Sequence, residues 1–167
     1  SLSATTPSSK SIAVLPFIDM SSEKNQEWFA DGLTEEILNS LTHLKELTVM
    51  SRTSSFTYKN RNLPVQQIAD SLKVANIVEG SVRKFGDAIK ITVQLIKASD
   101  GSHIWSHVYE RPFSDIFKIQ EDIATNIAQS LNIYLDDATR NKMFATGTTN
   151  PEAYENYLKG LDKFNEA

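Results

Sequence analysis

The chain has 167 residues, of which 40% are apolar and 23% charged, with a formal net charge of −4 and no cysteine. A length of this order suits one domain with an appendage and lets about two-thirds of the unfolded surface be buried. The negative charge argues against a nucleic-acid partner, and the missing cysteines exclude disulfides, thiol catalysis and Cys-ligated zinc.

Residues 1–10, SLSATTPSSK, read as a Ser/Thr/Pro-rich tether with no apolar signal region, and the missing initiator Met predicts a piece of something longer. The longest uncharged apolar run, Ile12 to Ile18, is too short to span a bilayer and contains Pro16. Its first part, to Phe17, reads as a buried strand. From Glu27 to Leu44, Phe29, Leu33, Ile37, Leu41 and Leu44 recur at helical spacing, which predicts an amphipathic helix in spite of Gly32. Leu47 to Ser51 reads as a second short strand, and strand, helix, strand in this order favours a parallel right-handed crossover.

Arg52 to Asn62 is polar and predicts a turn of helix and a loop. Pro64 suits the first position of a helix to about Lys73, with Val65, Ile68, Ala69 and Leu72 inward. Ile77 to Glu110 then reads as three strands joined by turns at Gly86-Asp87 and Asp100-Gly101. Ile89, Ile91, Val93 and Leu95 alternate with Lys90, Thr92 and Gln94, so one face of this meander should be wet. Ser114 is the expected N-cap of a long helix carrying Ile116, Phe117, Ile123, Ile127, Leu131 and Leu135 on one side. Periodicity fades over 136–149, a predicted linker. Asn150-Pro151 then caps a final helix with Tyr154, Tyr157, Leu158, Leu161 and Phe164 apolar.

Catalytic chemistry is not expected. No phosphate-binding glycine pattern occurs, and neither Ser81 nor Ser102 has the glycine spacing of a nucleophile elbow. His103 and His107, four residues apart on a strand, lie about 13 Å apart, too far for one metal ion. Catalytic and metal residues are therefore predicted to be none, as are cofactors. Residues 17–44 hold six acids and one base whereas 45–90 hold eight bases and four acids. Arg52, Lys59, Arg61, Arg83 and Lys84 could form a basic patch, but the favoured reading is a solvated face balanced by the acidic helix. Glu79 stands out among apolar strand neighbours. It should either form an internal ion pair with Arg83 or Arg52, which is favoured, or anchor a polar ligand. Gly80 marks a bulge or a close backbone approach.

Five segments then appear in order: Ile12-Ala-Val-Leu-Pro-Phe17, Phe29-Ala-Asp-Gly-Leu-Thr-Glu-Glu-Ile37, Ser51-Arg-Thr-Ser-Ser-Phe56, Glu79-Gly-Ser-Val-Arg83 and Gly101-Ser-His-Ile-Trp105. Together they resemble the TolB-like domain, named for the amino-terminal domain of the periplasmic protein TolB. Asn150 to Gly160 looks like the segment leading into tetratricopeptide repeats in such proteins. The resemblance implies an α/β fold with a five-stranded mixed sheet, including the antiparallel meander, packed against helices, plus the C-terminal helix. The domains expected are a tether at 1–10, the TolB-like domain at 11–135, a linker at 136–149 and the start of a tetratricopeptide-like region at 150–167. It also implies an extracytoplasmic module of a bacterial signalling protein, a cyclase or transcriptional regulator, tethered to the inner membrane only through an upstream segment. It carries over no catalytic residue.

The leading functional expectation is a non-catalytic sensory or protein-interaction module with a protein partner or self-association as a homodimer. Contacts would run through the meander face or the terminal helix, with Trp105, Tyr154, Tyr157 and Leu161 as interaction residues. The alternative is a small-molecule sensor with a polar pocket built from Arg52, Ser54, Tyr58, Glu79 and Arg83.

Overall fold

The computed structural model describes residues 6–145 and 150–166, the stretch 161–166 by its backbone alone. The chain order is β1 (Ser11–Val14), β2 (Ile18–Asp19), α1 (Glu27–Thr42), β3 (Thr48–Val49), α2 (Arg52–Phe56), α3 (Val65–Leu72), β4 (Asn76–Phe85), β5 (Ala88–Lys97), β6 (His103–Pro112), α4 (Ile116–Ser130), α5 (Asp137–Phe144) and α6 (Pro151–Glu166). The sheet is mixed, in the order β3-β1-β4-β5-β6. β1 is parallel to both β3 and β4, whereas β4, β5 and β6 form the antiparallel meander. The expected fold class is therefore the observed one, with a sixth strand, β2, added against β4.

β2 exists because the first apolar run is broken. β1 and β2 occupy the same lane beside β4, pairing with Asn76–Val78 and then with Ser81–Val82. Between them Pro16 has no N–H to give to a ladder, and the backbone N–H of Phe17 turns away to donate to Thr34 Oγ1 on α1, at 3.0 Å. The Phe17 ring then sinks into the core and presses on Gly80. A Cβ on Gly80 would lie 2.7 Å from the Phe17 ring and 2.3 Å from the Thr92 carbonyl oxygen. Pairing of β4 with β5 runs unbroken through Gly80 and Val93, so this glycine marks a close approach and not a bulge.

Two apolar layers flank the sheet. On one side Phe29, Leu33, Ile37 and Leu41 of α1 and Ile116, Ile123 and Ile127 of α4 pack on Val78, Val82, Ile91, Val93 and Leu95. On the other, α3 contributes Ile68 and Ala69 to a smaller cluster with Ala13, Leu15 and Ile77. β1 is therefore buried along its whole length, as a strand covered on both faces should be. Among the described residues nothing comparable covers the outer side of β5 and β6, where burial alternates along β5. The first glycine-bearing turn brings β4 back into β5 with Gly86 at φ +55°, and the second has Gly101 at φ +74°, both left-handed positions that favour glycine.

Some local expectations need correcting. Asp115, not Ser114, stands at the N-cap of α4, because Phe113–Asp115 forms a 3₁₀ turn first. Pro64 is the N-cap of α3 and Val65 its first residue. The segment expected to be a bare linker contains α5, whose start is capped by the Asp136 carboxylate accepting from Thr139 N at 2.7 Å.

The tetratricopeptide expectation is overturned. The architecture is a mixed sheet with helices, and α6 packs on α1 of the same domain. The reason is steric. Gly32, the residue that weakens α1 on propensity, leaves a notch filled by Leu158, whose Cδ2 would lie 2.5 Å from a Cβ at position 32. Tyr154 is buried beside it, edge-on to Phe117 at 4.8 Å, and accepts a hydrogen bond from Gln120 Nε2. Tyr154 and Leu158 of α6 are thus buried within their own domain, whereas Tyr157 stays exposed.

Gly80→Ala must push Phe17 out of place, since the Thr92 carbonyl cannot yield. Overpacking of this kind costs about 1–3 kcal/mol, so the variant should lose that much in a urea titration with its far-ultraviolet spectrum retained. An unchanged midpoint would show that the Phe17–Gly80 contact does not constrain the sheet.

Candidate interaction face and groove

The uncovered side of the meander is the first candidate surface. By strand alternation it presents Glu79, Ser81, Arg83 and Phe85 from β4, Lys90, Thr92 and Gln94 from β5, and Ser106, Val108 and Glu110 from β6. Ile18, Phe85, Ile104 and Val108, which are 61, 56, 37 and 49% exposed, lie on this side. Large apolar side chains gathered on one face mark contact surfaces in soluble proteins. Arg83 stands opposite Lys90, and Lys90 reaches Glu110 on β6 at 3.4 Å, so that carboxylate offsets a pair of like charges placed side by side.

β6 is also a sheet edge. Phe113 N donates to Asp87 O, which makes residues 87 and 113 a hydrogen-bonded pair in continuation of the β5–β6 register. In an antiparallel ladder such pairs recur every second residue. Trp105, His107, Tyr109 and Arg111 therefore spend their backbone groups on β5, while those of Ser106, Val108 and Glu110 point outward. The strand is held firmly all the same: buried Tyr109 donates from its hydroxyl to Asp122 on α4. Burial, then this hydrogen bond and the nearby charge, push the Tyr109 phenol well above its ordinary range.

The second candidate is a groove of about 460 Å³ where the open face meets α3. Its floor includes Glu79, Ser81, Thr92 and Gln94, and its walls come from Leu15 and Ile18 on one side and the 58–63 loop and Ile68 on the other. The gap between β1 and β2 creates this hollow, and the loop is bent over it by Asn60, at φ +61°.

Of the five expected pocket residues, the structure brings together two, Tyr58 and Glu79. Arg52 faces α1, paired with Glu35 and stacked over Phe56 at 4.1 Å. Ser54 belongs to the cap of α2, its N–H donating to Ser51 Oγ at 3.2 Å. Arg83 lies on the open face outside the groove, four strand residues from Glu79, about 13 Å. The favoured internal ion pair of Glu79 is accordingly absent: among the described residues no cation lies within salt-bridge distance of it. Burial raises the Glu79 carboxyl above its usual range, with His103 pulling the other way. Of the remaining cations of the expected basic patch, Lys59 and Lys84 are compensated by carboxylates, whereas Arg61 lies over the Tyr58 ring at 5.7 Å. Lys59 reaches Asp31 at 2.6 Å and also Glu27 on α1, and these carboxylates outweigh its burial and raise its pKa. Lys84 lies 3.6 Å from Glu155 of α6.

The expected interaction residues also separate. Trp105 is half-buried on the core side of β6, Tyr154 is buried under α6, and Tyr157 is exposed; the Leu161 side chain lies outside the described residues. Sequence reasoning passed over Asp19, which accepts from Ser21 N at 2.9 Å and Gln26 N at 2.8 Å and so fixes the entry to α1. It also passed over Ser81, Thr92 and Gln94 as groove residues, although their place on the wet face was readable. Among the described residues no three His, Asp or Glu side chains could hold a metal ion, and no helix is long and apolar enough to cross a membrane.

A carboxyl whose pKa is raised in the fold costs stability when ionised, and that cost vanishes below the pKa of the unfolded chain. Glu79→Gln should therefore be more stable than the parent near pH 7, the gain fading as pH falls below about 4. Urea titrations at the two pH values test this; a loss of stability near neutrality would instead reveal an ion pair.

The fold is similar to that of TolB from Acinetobacter baumannii, with a TM-score of 0.53 and 16% identity, over 77% of this chain and 29% of that one. It is equally similar to lipoprotein GNA1162 from Neisseria meningitidis, with a TM-score of 0.53 and 15% identity, over 73% of this chain and 99% of that one. The resemblance to TolB thus holds at the level of fold. In sequence the chain is 37% identical over 149 residues to a putative adenylate cyclase 3 of Rhizobium meliloti (strain 1021), covering 89% of this chain and 25% of that protein. Residues 8–129 match the second domain of the HilA/YgeH-like transcriptional regulators, and the chain belongs to that family.

Proposed function

We propose that this chain is a non-catalytic protein-interaction module of a longer signalling protein, and that it works by contact through the open face of its meander. The observation that carries this reading is the placement of Ile18, Phe85, Ile104 and Val108 on one uncovered side of the sheet, next to an edge strand with outward backbone groups. The docking of α6 on its own domain favours the meander face over the terminal helix in this reading. The mechanism is a shift in docking of this face, on a partner protein or on a second copy, that biases the state of an attached effector.

The kinship supports a relay in place of a dedicated output. The same type of domain occurs in a family of transcriptional regulators and within a putative adenylate cyclase of which this chain spans a quarter. A unit attached to such different outputs contributes something common to both, and contact is the simplest common element. Placement outside the cytoplasm, with an inner-membrane tether upstream, is part of the proposal; the fold shared with TolB and with a lipoprotein supports it. The expected partition into a tether at 1–10, a domain at 11–135 and a following segment likewise stays within the proposal.

Ile104→Glu with Val108→Glu puts charge on the face while both side chains stay in solvent, so the melting temperature should be nearly unchanged. In the longer protein the pair should abolish domain-dependent control of the effector, read as cyclase activity or reporter transcription, and lower any self-association seen by sedimentation. Wild-type control and mass in the double variant would contradict the reading.

A further inference from the structure

We infer that the groove between α3 and the open face binds a cation carried on an apolar stem, an alkylammonium or alkylguanidinium group. Four side chains on its floor form a two-by-two array, because Glu79 pairs across the ladder with Gln94 and Ser81 with Thr92. Neighbouring strands lie about 4.8 Å apart and same-face residues along a strand about 7 Å apart. Each of the four offers at least one oxygen that accepts hydrogen bonds, and Glu79 adds a formal charge. Among the described residues none of these four side chains is engaged in a hydrogen bond.

Charge selects the ligand. The groove is lined by three ionisable cations or anions of consequence, Lys59, Arg61 and Glu79. Lys59 is taken by Asp31 and Glu27, and Arg61 lies over the Tyr58 ring at 5.7 Å. Glu79 is the one carboxylate of this lining; among the described residues it has no ion-pair partner, and burial has already made its ionised form unfavourable, with His103 pulling the other way. A ligand bringing N–H donors and positive charge supplies what the floor lacks, with charge-assisted bonds stronger than neutral ones. The stem is accommodated by Leu15, Ile18, Leu63 and Ile68, which is the usual division of a small-molecule site into apolar walls and a few convergent polar groups. A volume of about 460 Å³ admits such a group with room to spare.

The chemistry is shared by a free amine and by a Lys or Arg side chain of a peptide, and the experiment separates the two. Agmatine and the peptide acetyl-Gly-Arg-Gly-amide are titrated into the labelled chain, with amide shifts followed by NMR. Saturable shifts confined to residues 58–63, 79–81 and 92–94 are expected, with affinity about tenfold weaker in Glu79→Gln. Agmatine alone binding marks a small-molecule site; tighter binding of the peptide marks a reader of basic side chains. Should Glu79→Gln lose its native spectrum, Gln94→Leu removes the opposite acceptor and should weaken binding several-fold. No saturable shift with either probe at millimolar concentration, or equal affinity in the variants, overturns the site. Ile18 is common to the groove and to the contact face, but Ile104 and Val108 lie outside the groove lining, so their double substitution fails or succeeds independently of ligand binding on the floor.

Discussion

The contact between Phe17 and Gly80 organises this domain. A strand that continued past Val14 would have to give its N–H groups to β4 without a break, and Pro16 prevents that. The lane instead opens, Phe17 turns to the core, and β2 resumes three residues further along β4, at Ser81. The ring can enter only because position 80 has no Cβ. The same opening that seats Phe17 on one face of the sheet leaves the hollow on the other, with Glu79 and Ser81 on its floor. Core and groove are two sides of one packing decision.

A second glycine plays the matching role among the helices. Gly32 weakens α1 by about 1 kcal/mol relative to Ala, yet it admits Leu158 and so joins α6 to the domain. The cluster around it is reinforced by Lys159 over Trp28 at 4.9 Å and by Lys84 over Phe113 at 5.4 Å. With α1, α4 and α6 on one side and α3 covering only part of the other, the meander is left with an apolar and polar face that the described fold does not use.

The sequence made much of this legible. Alternation through Ile89, Ile91, Val93 and Leu95 announced a one-sided sheet, and the glycine turns fixed its hairpins, because period and turn chemistry are local properties. The helical spacing from Phe29 to Leu41 was equally local. What stayed hidden was relational. Gly80 could be read as a close approach but not matched to Phe17, which is 63 positions away in the chain. Arg52 and Arg83 were grouped with Glu79 because charge invites pairing, but strand spacing and Glu35 keep them apart. The stripe of α6 read as a repeat helix because a sequence cannot show that Gly32 has prepared a notch for it.

The central claim is that the open side of the meander, with its edge strand, is where this domain touches another protein. Amide hydrogen exchange compares the isolated domain with the same domain inside its longer polypeptide. The account predicts slowed exchange at Ser106, Val108 and Glu110, whose N–H groups point away from β5, with the inward-bonded Trp105, His107 and Tyr109 changing little. Identical exchange at the outward amides in the two contexts, with protection appearing on α1 or α6 instead, would contradict it.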